Sequence, residues 1–234
     1  MSEIGLYAIR LALLATIFGI GAGIYSGVTR RADWGQVAER SVYTVLTLLG
    51  VAMISLFWAL GSNDFSLEYV ARHSARSMSL GYRLGALWGG QAGSLLLWAF
   101  LLMAFGSAGV FSNRRSQSAL IPWVAVVLLA NAGFFIFLLE FLTSPFEPVP
   151  AGQVLSDGQG LNPLLQHPVM LIHPVMLYLG FTGFATPFAF AFAALVTGRL
   201  GTEWFRTTRR WSLFAWLALG AGIVLGGRWA YEVL

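Results

Sequence analysis

Residues Ser41–Asn63 read SVYTVLTLLGVAMISLFWALGSN, a run without a charged side chain that ends against Asp64. A helix needs about 20 apolar residues to cross the hydrocarbon of a bilayer, and this run supplies them. Five further charge-free runs share its character: Leu11–Thr29, Leu84–Asn113, Ser116–Leu139, Gly158–Gly198 and Trp211–Gly227. Lipid offers the backbone no hydrogen-bond partner, and no run alternates like a membrane β-barrel strand. The expectation is an all-α, polytopic membrane protein. Its six transmembrane helices are placed near residues 4–27, 41–62, 91–111, 120–142, 173–198 and 211–229.

Composition agrees. Charged residues make up 10% of the chain and mean hydropathy is +0.73, against about 25% charged in a soluble domain. A soluble globular enzyme is excluded. All 14 basic residues are Arg, against 10 Asp plus Glu. Arg30, Arg31, Arg40, Arg114, Arg115, Arg199, Arg206, Arg209 and Arg210 fall in connections one, three and five. Only Arg72, Arg76, Arg83 and Arg228 fall in the other connections and at the C-terminal end. That bias puts the first set in the cytoplasm and both termini outside. The net charge of +4 is thus a topology signal, and no nucleic-acid partner is expected. The inner connections read as plain linkers.

The first span has no basic leader and no clear cleavage site, so it reads as a retained anchor. Arg10 lies about two turns inside it and is expected to snorkel to the headgroups. The absence of Cys excludes a disulfide framework, a thiolate metal site and a C-x-x-C-H haem attachment motif in this chain.

The unusual residues gather in two outer segments, roughly 63–90 and 144–172, which with the start of the fifth span hold all three histidines. In the first, Asn63 or Asp64 can cap a helix with Leu67, Val70, Ala71 and Ser74 on one face. Such a helix is expected to lie along the membrane surface with Arg72 and Arg76 toward water or headgroups. The same two cations could instead meet the carboxylates of an amphipathic ligand. Next comes Leu87-Trp88-Gly89-Gly90-Gln91-Ala92-Gly93, whose glycines permit close backbone approach. Trp88 and Trp98 bracket the entry of the third span. Trp88 reads either as an interfacial anchor or as a flat platform for a planar ligand.

In the second segment His-Pro-Val-Met occurs twice, at His167 and at His173. Six residues of helix turn about 600°, so the two imidazoles face different ways and do not chelate one ion together. Pro174 suits a first helical turn, which puts His173 near the cap of the fifth span. A neutral imidazole there can ligate haem iron axially, with its other ring nitrogen fixed by a backbone acceptor.

Several stretches resemble, in order and spacing, the CcmF/NrfE family of cytochrome c-type biogenesis haem lyases. They are Tyr69-Val70-Ala71, His73-Ser74, Arg76, Tyr82, Ala86-Leu87-Trp88-Gly89-Gly90, Gly93 through Trp98, Leu161 through Gln166, and Ile172-His173-Pro174. Trp211-Ser212 and Trp229-Ala230-Tyr231-Glu232 resemble the span that leads to the family's Trp-rich WWD segment. The resemblance implies a bacterial inner-membrane protein working on its periplasmic face. It implies receipt of haem from the chaperone CcmE and ligation of that haem to apocytochrome c, beside a CcmH-like apocytochrome-handling protein. His173 matches the family's first outer haem-ligating histidine. Trp88, Arg72, Arg76 and His167 are further candidates for contact with haem. The resemblance ends at Leu234, where the WWD segment is due, so the second ligand is expected from a C-terminal CcmF-like chain carrying that segment. The alternative is a transporter of haem or another amphipath, for which Asn131 and Pro187 are the midplane features.

Overall fold

The computed structural model describes residues 2–150 and 155–233. Among them the chain forms nine α-helices: α1 (Ser2–Thr29), α2 (Ala32–Ser62), α3 (Glu68–His73), α4 (Leu80–Gly85), α5 (Gln91–Asn113), α6 (Ile121–Phe141), α7 (Pro168–Gly183), α8 (Ala185–Thr197) and α9 (Glu203–Val233). Short 3₁₀ turns occupy Ala86–Trp88 and Pro163–Leu165. Six stretches are long and apolar enough to cross a membrane: α1, α2, α5, α6, the α7–α8 pair and most of α9. The protein is an all-α polytopic membrane protein, as its charge-free runs require.

The helices overrun the expected spans at the charged ends. Arg40 lies within α2, and Arg206, Arg209 and Arg210 lie in the first turns of α9. Arginine is a good helix former with a long apolar stem, so a helix continues through it past the hydrocarbon edge. Only Arg30 and Arg31 separate α1 from α2. So tight a reversal needs one left-handed residue, and Arg30 takes it with φ 60°. Ser26 Oγ then donates to the Arg31 carbonyl at 2.8 Å and holds the turn.

The core lies where α1, α2, α5 and α6 meet, with Ile9, Leu49, Leu56, Met103, Leu128 and Ile136 fully enclosed. Arg10, expected to snorkel, has a protein partner. Its Nε donates to Glu140 Oε1 on α6 at 2.9 Å, because the start of α1 and the end of α6 lie at the same end of the bundle. The fifth span is broken at Phe184, between α7 and α8. Pro187 has no N–H for the Gly183 carbonyl four residues back, so the helix restarts.

α7 and α9 approach through small residues. A Cβ added at Gly180 would stand 2.6 Å from Leu219 Cβ, and one at Gly222 would stand 2.8 Å from Leu177 Cδ2. In lipid, where helices gain little by hiding apolar side chains from each other, such close backbone contact supplies the attraction.

Between the spans, residues 63–90, 143–150 and 155–167 form a layer at one end, the loop-rich end. Asn63 does not cap α3. It ends α2 in a left-handed turn (φ 56°), and its N–H reaches the carbonyls of Ala59 and Leu60. Asp64 instead accepts from Ser66. The expected surface helix shrinks to the six residues of α3, and its apolar face turns inward: Leu67, Val70, Ala71 and Ser74 are all buried.

The two segments are joined by backbone hydrogen bonds. Glu68 N–H donates to the Glu147 carbonyl and Val149 N–H to that of Ser66, each at 2.9 Å, around an isolated antiparallel bridge between Leu67 and Pro148. Gln159 and Gly160 donate to the carbonyls of Ala71 and Ser74 at 2.8 and 3.1 Å, closing the C-terminal end of α3. Only glycine fits at 158, where a Cβ would lie 2.1 Å from the Ser74 carbonyl oxygen.

Candidate functional site

His173 sits on the second turn of α7, not at its cap. His167 holds the cap: its Nδ1 accepts from the Val169 N–H at 3.3 Å, and Pro168 takes the first helical position. Proline is tolerated there because that N–H has no partner inside the helix. The His-Pro pair at 167–168 and the one at 173–174 compete for the same start, and the earlier pair takes it. Pro174 is therefore inside the helix.

An internal proline frees the carbonyl four residues before it, here that of Met170. Trp88 answers: its indole N–H donates to the Met170 carbonyl at 3.2 Å. The ring is half-buried against the core. Trp88 thus bolts the loop-rich layer onto α7 at the turn that carries His173. Trp98, expected near the interface, lies deeper in α5. There it meets Phe135, Tyr178 and Phe181 at ring-centroid distances of 5.4, 5.4 and 5.7 Å.

The half-buried His173 faces α9. Its Nδ1 lies 2.7 Å from the Gly222 carbonyl oxygen, and a carbonyl can only accept, so Nδ1 carries a proton, and the lone pair of the neutral ring is on Nε2. The ring packs on Gly226, where a Cβ would stand 2.4 Å from His173 Cε1. Gly222 and Gly226 are the site residues that the sequence reading missed. Their signal is a pair of glycines four apart on an apolar helix, the spacing of close helix packing.

The other candidates are differently placed. Both ring nitrogens of His167 are engaged, because Nδ1 accepts from Val169 and Nε2 lies 3.2 Å from Glu232 Oε2. His167 and His173 do not meet on one ligand; each has its own partner. Arg72 is exposed and ion-paired with Glu68 one turn earlier. Arg76 is exposed over the Phe65 ring, and its backbone N–H donates to Asp157 Oδ1. Two backbone N–H bonds, from Arg76 and Gly158, hold the Asp157 carboxyl below its usual range.

His73 donates Nδ1–H to the Tyr69 carbonyl and stacks on that tyrosine's ring, with Gly90 against its Nε2 edge. The Tyr69 hydroxyl in turn reaches the carbonyls of Leu87 and Ala86 at 2.8 and 3.0 Å. Burial pushes its pKa well above the usual tyrosine value, so it stays a neutral donor. Gly93 has to be glycine here, since a Cβ would stand 1.9 Å from the Leu87 carbonyl oxygen. This knot fixes the Gly-rich turn that presents Trp88.

Among the described residues no group of three or more His, Cys, Asp or Glu could enclose a bare metal ion. A single imidazole whose Nδ1 is held by a carbonyl suits an iron whose other ligands come with it, as in a porphyrin. The transporter features are ordinary in this structure. Asn131 donates to the Val127 carbonyl of its own helix at 2.8 Å, and Pro187 marks the α7–α8 break.

A bundle of six apolar spans that carries this one polar cluster at its loop-rich end defines the class. Residues 88–234 match the family described as cytochrome C assembly protein, and the chain belongs to that family. It is 36% identical to the cytochrome c-type biogenesis protein CcmF of Haemophilus influenzae, with 100% of this chain and 36% of that protein aligned. It is 38% identical to CcmF of Pseudomonas aeruginosa, over 99% of this chain and 35% of that protein. A solved structure named cytochrome c heme lyase CcmF superposes with a TM-score of 0.82 at 30% identity, covering 98% of this chain and 36% of its own. The chain therefore spans about a third of the length of the relatives it matches.

Proposed function

We propose that this chain takes part in cytochrome c maturation, as the N-terminal transmembrane portion (residues 1–234) of a CcmF-like haem lyase. Haem is handled at the loop-rich end, which faces the periplasm of a bacterial inner membrane. The observation that carries the reading is the Nδ1–H bond from His173 to the Gly222 carbonyl. It leaves Nε2 as the nitrogen that would hold the haem iron and raises that nitrogen's basicity.

The chain's own residues bind and orient. Trp88 braces the His173 turn through Met170, and the α7–α9 glycine contact fixes the ring plane. Arg76, exposed over the Phe65 ring with the Asp157 carboxylate near enough to feel its charge, is the cation for a haem carboxylate, and Arg72 is tied to Glu68. His167 holds the end of α7 to the end of α9 through Glu232. Haem supplies the iron and the vinyl groups that receive thiols. The thiols belong to apocytochrome c, since this chain has no Cys.

A second ligand for the iron would come from outside these residues, because His167 has both nitrogens engaged and His73 is stacked on Tyr69 under Gly90. A C-terminal CcmF-like part with a WWD segment is its source. The haem chaperone CcmE is the donor of haem, and a CcmH-like protein delivers the apocytochrome.

The test is His173→Ala, scored by covalent haem staining of cytochromes c at equal membrane levels of the variant. Loss of covalent haem is expected. Normal attachment would remove His173 from the site.

A further inference from the structure

At the end of the bundle opposite the histidines, the tips of α1, α2, α6 and α8 and the α5–α6 connection line an open cavity of about 1180 Å³. Arg30, Arg40, Arg114, Arg115 and Arg199 line it, with Glu39 as the one acid among the lining residues. Glu39 is already committed: its Oε1 accepts from the Tyr43 hydroxyl at 3.0 Å and lies 3.7 Å from Arg114 Nη1. Among the described side chains no carboxylate pairs with Arg30, Arg40, Arg115 or Arg199. Four guanidinium groups around one cavity repel each other, and the cost of gathering them grows where protein and lipid replace water.

The tight α1–α2 reversal, with Arg30 at φ 60°, places this residue in the lining. The walls also favour one kind of anion. Val28 is 69% exposed and Val196 is 46% exposed, and both line the cavity beside Trp123. A free phosphate has no use for these apolar surfaces, whereas a lipid lays its acyl chains on them.

We propose that this cavity binds the phosphodiester headgroup of an anionic phospholipid. The unpaired arginines hold the phosphate through paired N–H bonds, and Val28, Trp123 and Val196 receive the first part of the acyl chains. The inner connections are then the walls of a lipid site, beyond being linkers that set topology.

The experiment extracts the protein in mild detergent from membranes containing phosphatidylglycerol and cardiolipin, then counts retained lipid per chain by native mass spectrometry. Wild-type protein is expected to keep anionic lipid and to drop phosphatidylcholine when offered both. Arg40→Gln with Arg115→Gln is expected to lose retention at least tenfold. Arg209→Gln with Arg210→Gln, at the same end but outside the cavity lining, is expected to keep it. Equal loss in both pairs would show only general attraction to a charged bilayer and would overturn the proposal. So would displacement of the lipid by excess inorganic phosphate, which would mark a site for a free anion, or absence of retained lipid in the wild type. Should the double variant fail to fold, Arg115→Gln and Arg199→Gln singly carry the same readout.

Discussion

The indole N–H of Trp88 and the carbonyl oxygen of Met170, 3.2 Å apart, close the gap that Pro174 opens in α7. An internal proline ordinarily weakens a helix, and here the missing bond is replaced from another part of the chain. Trp88→Phe keeps the ring and removes the donor, leaving a half-enclosed carbonyl without a partner. The expected cost is about 1–3 kcal/mol in thermal stability in detergent. In a Pro174→Ala background residue 174 regains an N–H, so the same change is expected to cost less. Equal costs in the two backgrounds, read as a double-mutant cycle, would sever the link between Trp88 and the proline.

Tyr69 supplies a second test with a pH sign. Tyr69→Phe removes the donor shared by the Leu87 and Ala86 carbonyls and is expected to destabilise by about 1–3 kcal/mol. Because burial raises the folded pKa above its ordinary value of 10.0, the unfolded chain releases this proton first as pH climbs. The contribution is whole below pH 10 and is lost as pH rises above it. Wild type should therefore lose stability above pH 10 more steeply than Tyr69→Phe. Parallel curves would count against a buried, neutral phenol.

Gly226→Ala sets a Cβ against the His173 ring and is expected to push Nδ1 off the Gly222 carbonyl. Covalent haem attachment should fall several-fold at equal protein levels. Gly227→Ala, with nothing within 4 Å of its added carbon, should be silent. If both variants assemble cytochrome c normally, the fit between His173 and α9 is irrelevant to function.

Arg10 and Glu140 are expected to respond unequally. The Arg10 side chain is 49% exposed and that of Glu140 is 14% exposed. Glu140→Ala leaves an arginine that can turn to the headgroups, so a loss under about 1 kcal/mol is expected. Arg10→Ala strands a mostly enclosed carboxylate whose Oε2 already has no partner, and should cost about 2 kcal/mol or more. The reverse order in thermal melts would mean that Glu140 is better solvated than its exposure indicates.

The six spans were legible because lipid imposes one rule on every backbone group, and long apolar runs state compliance openly. The helix ends were less so. His-Pro occurs twice, and local propensity cannot say which pair begins α7; that depends on Trp88 closing the gap left by Pro174, a contact spanning 82 positions. The face of α9 that meets His173 was hidden for a related reason. Gly222 and Gly226 matter through the absence of side chains, and a carbonyl acceptor has no letter in the sequence. Arg10 misled because its partner, Glu140, lies just beyond a charge-free run on a helix whose register against α1 is set by packing. The inner arginines were read for their number, and their arrangement around a cavity follows from how four helix tips and the α5–α6 connection converge.

The joint between the two loop segments fixes an order of events. The carbonyls of Ala71 and Ser74 wait for donors at Gln159 and Gly160, which leave the ribosome only after α5 and α6 have been made. The backbone seam at the end of α3 therefore cannot close while the first two spans stand alone in the membrane. Its completion has to follow the synthesis of the first four spans, so the loop-rich end closes late in the history of each new molecule.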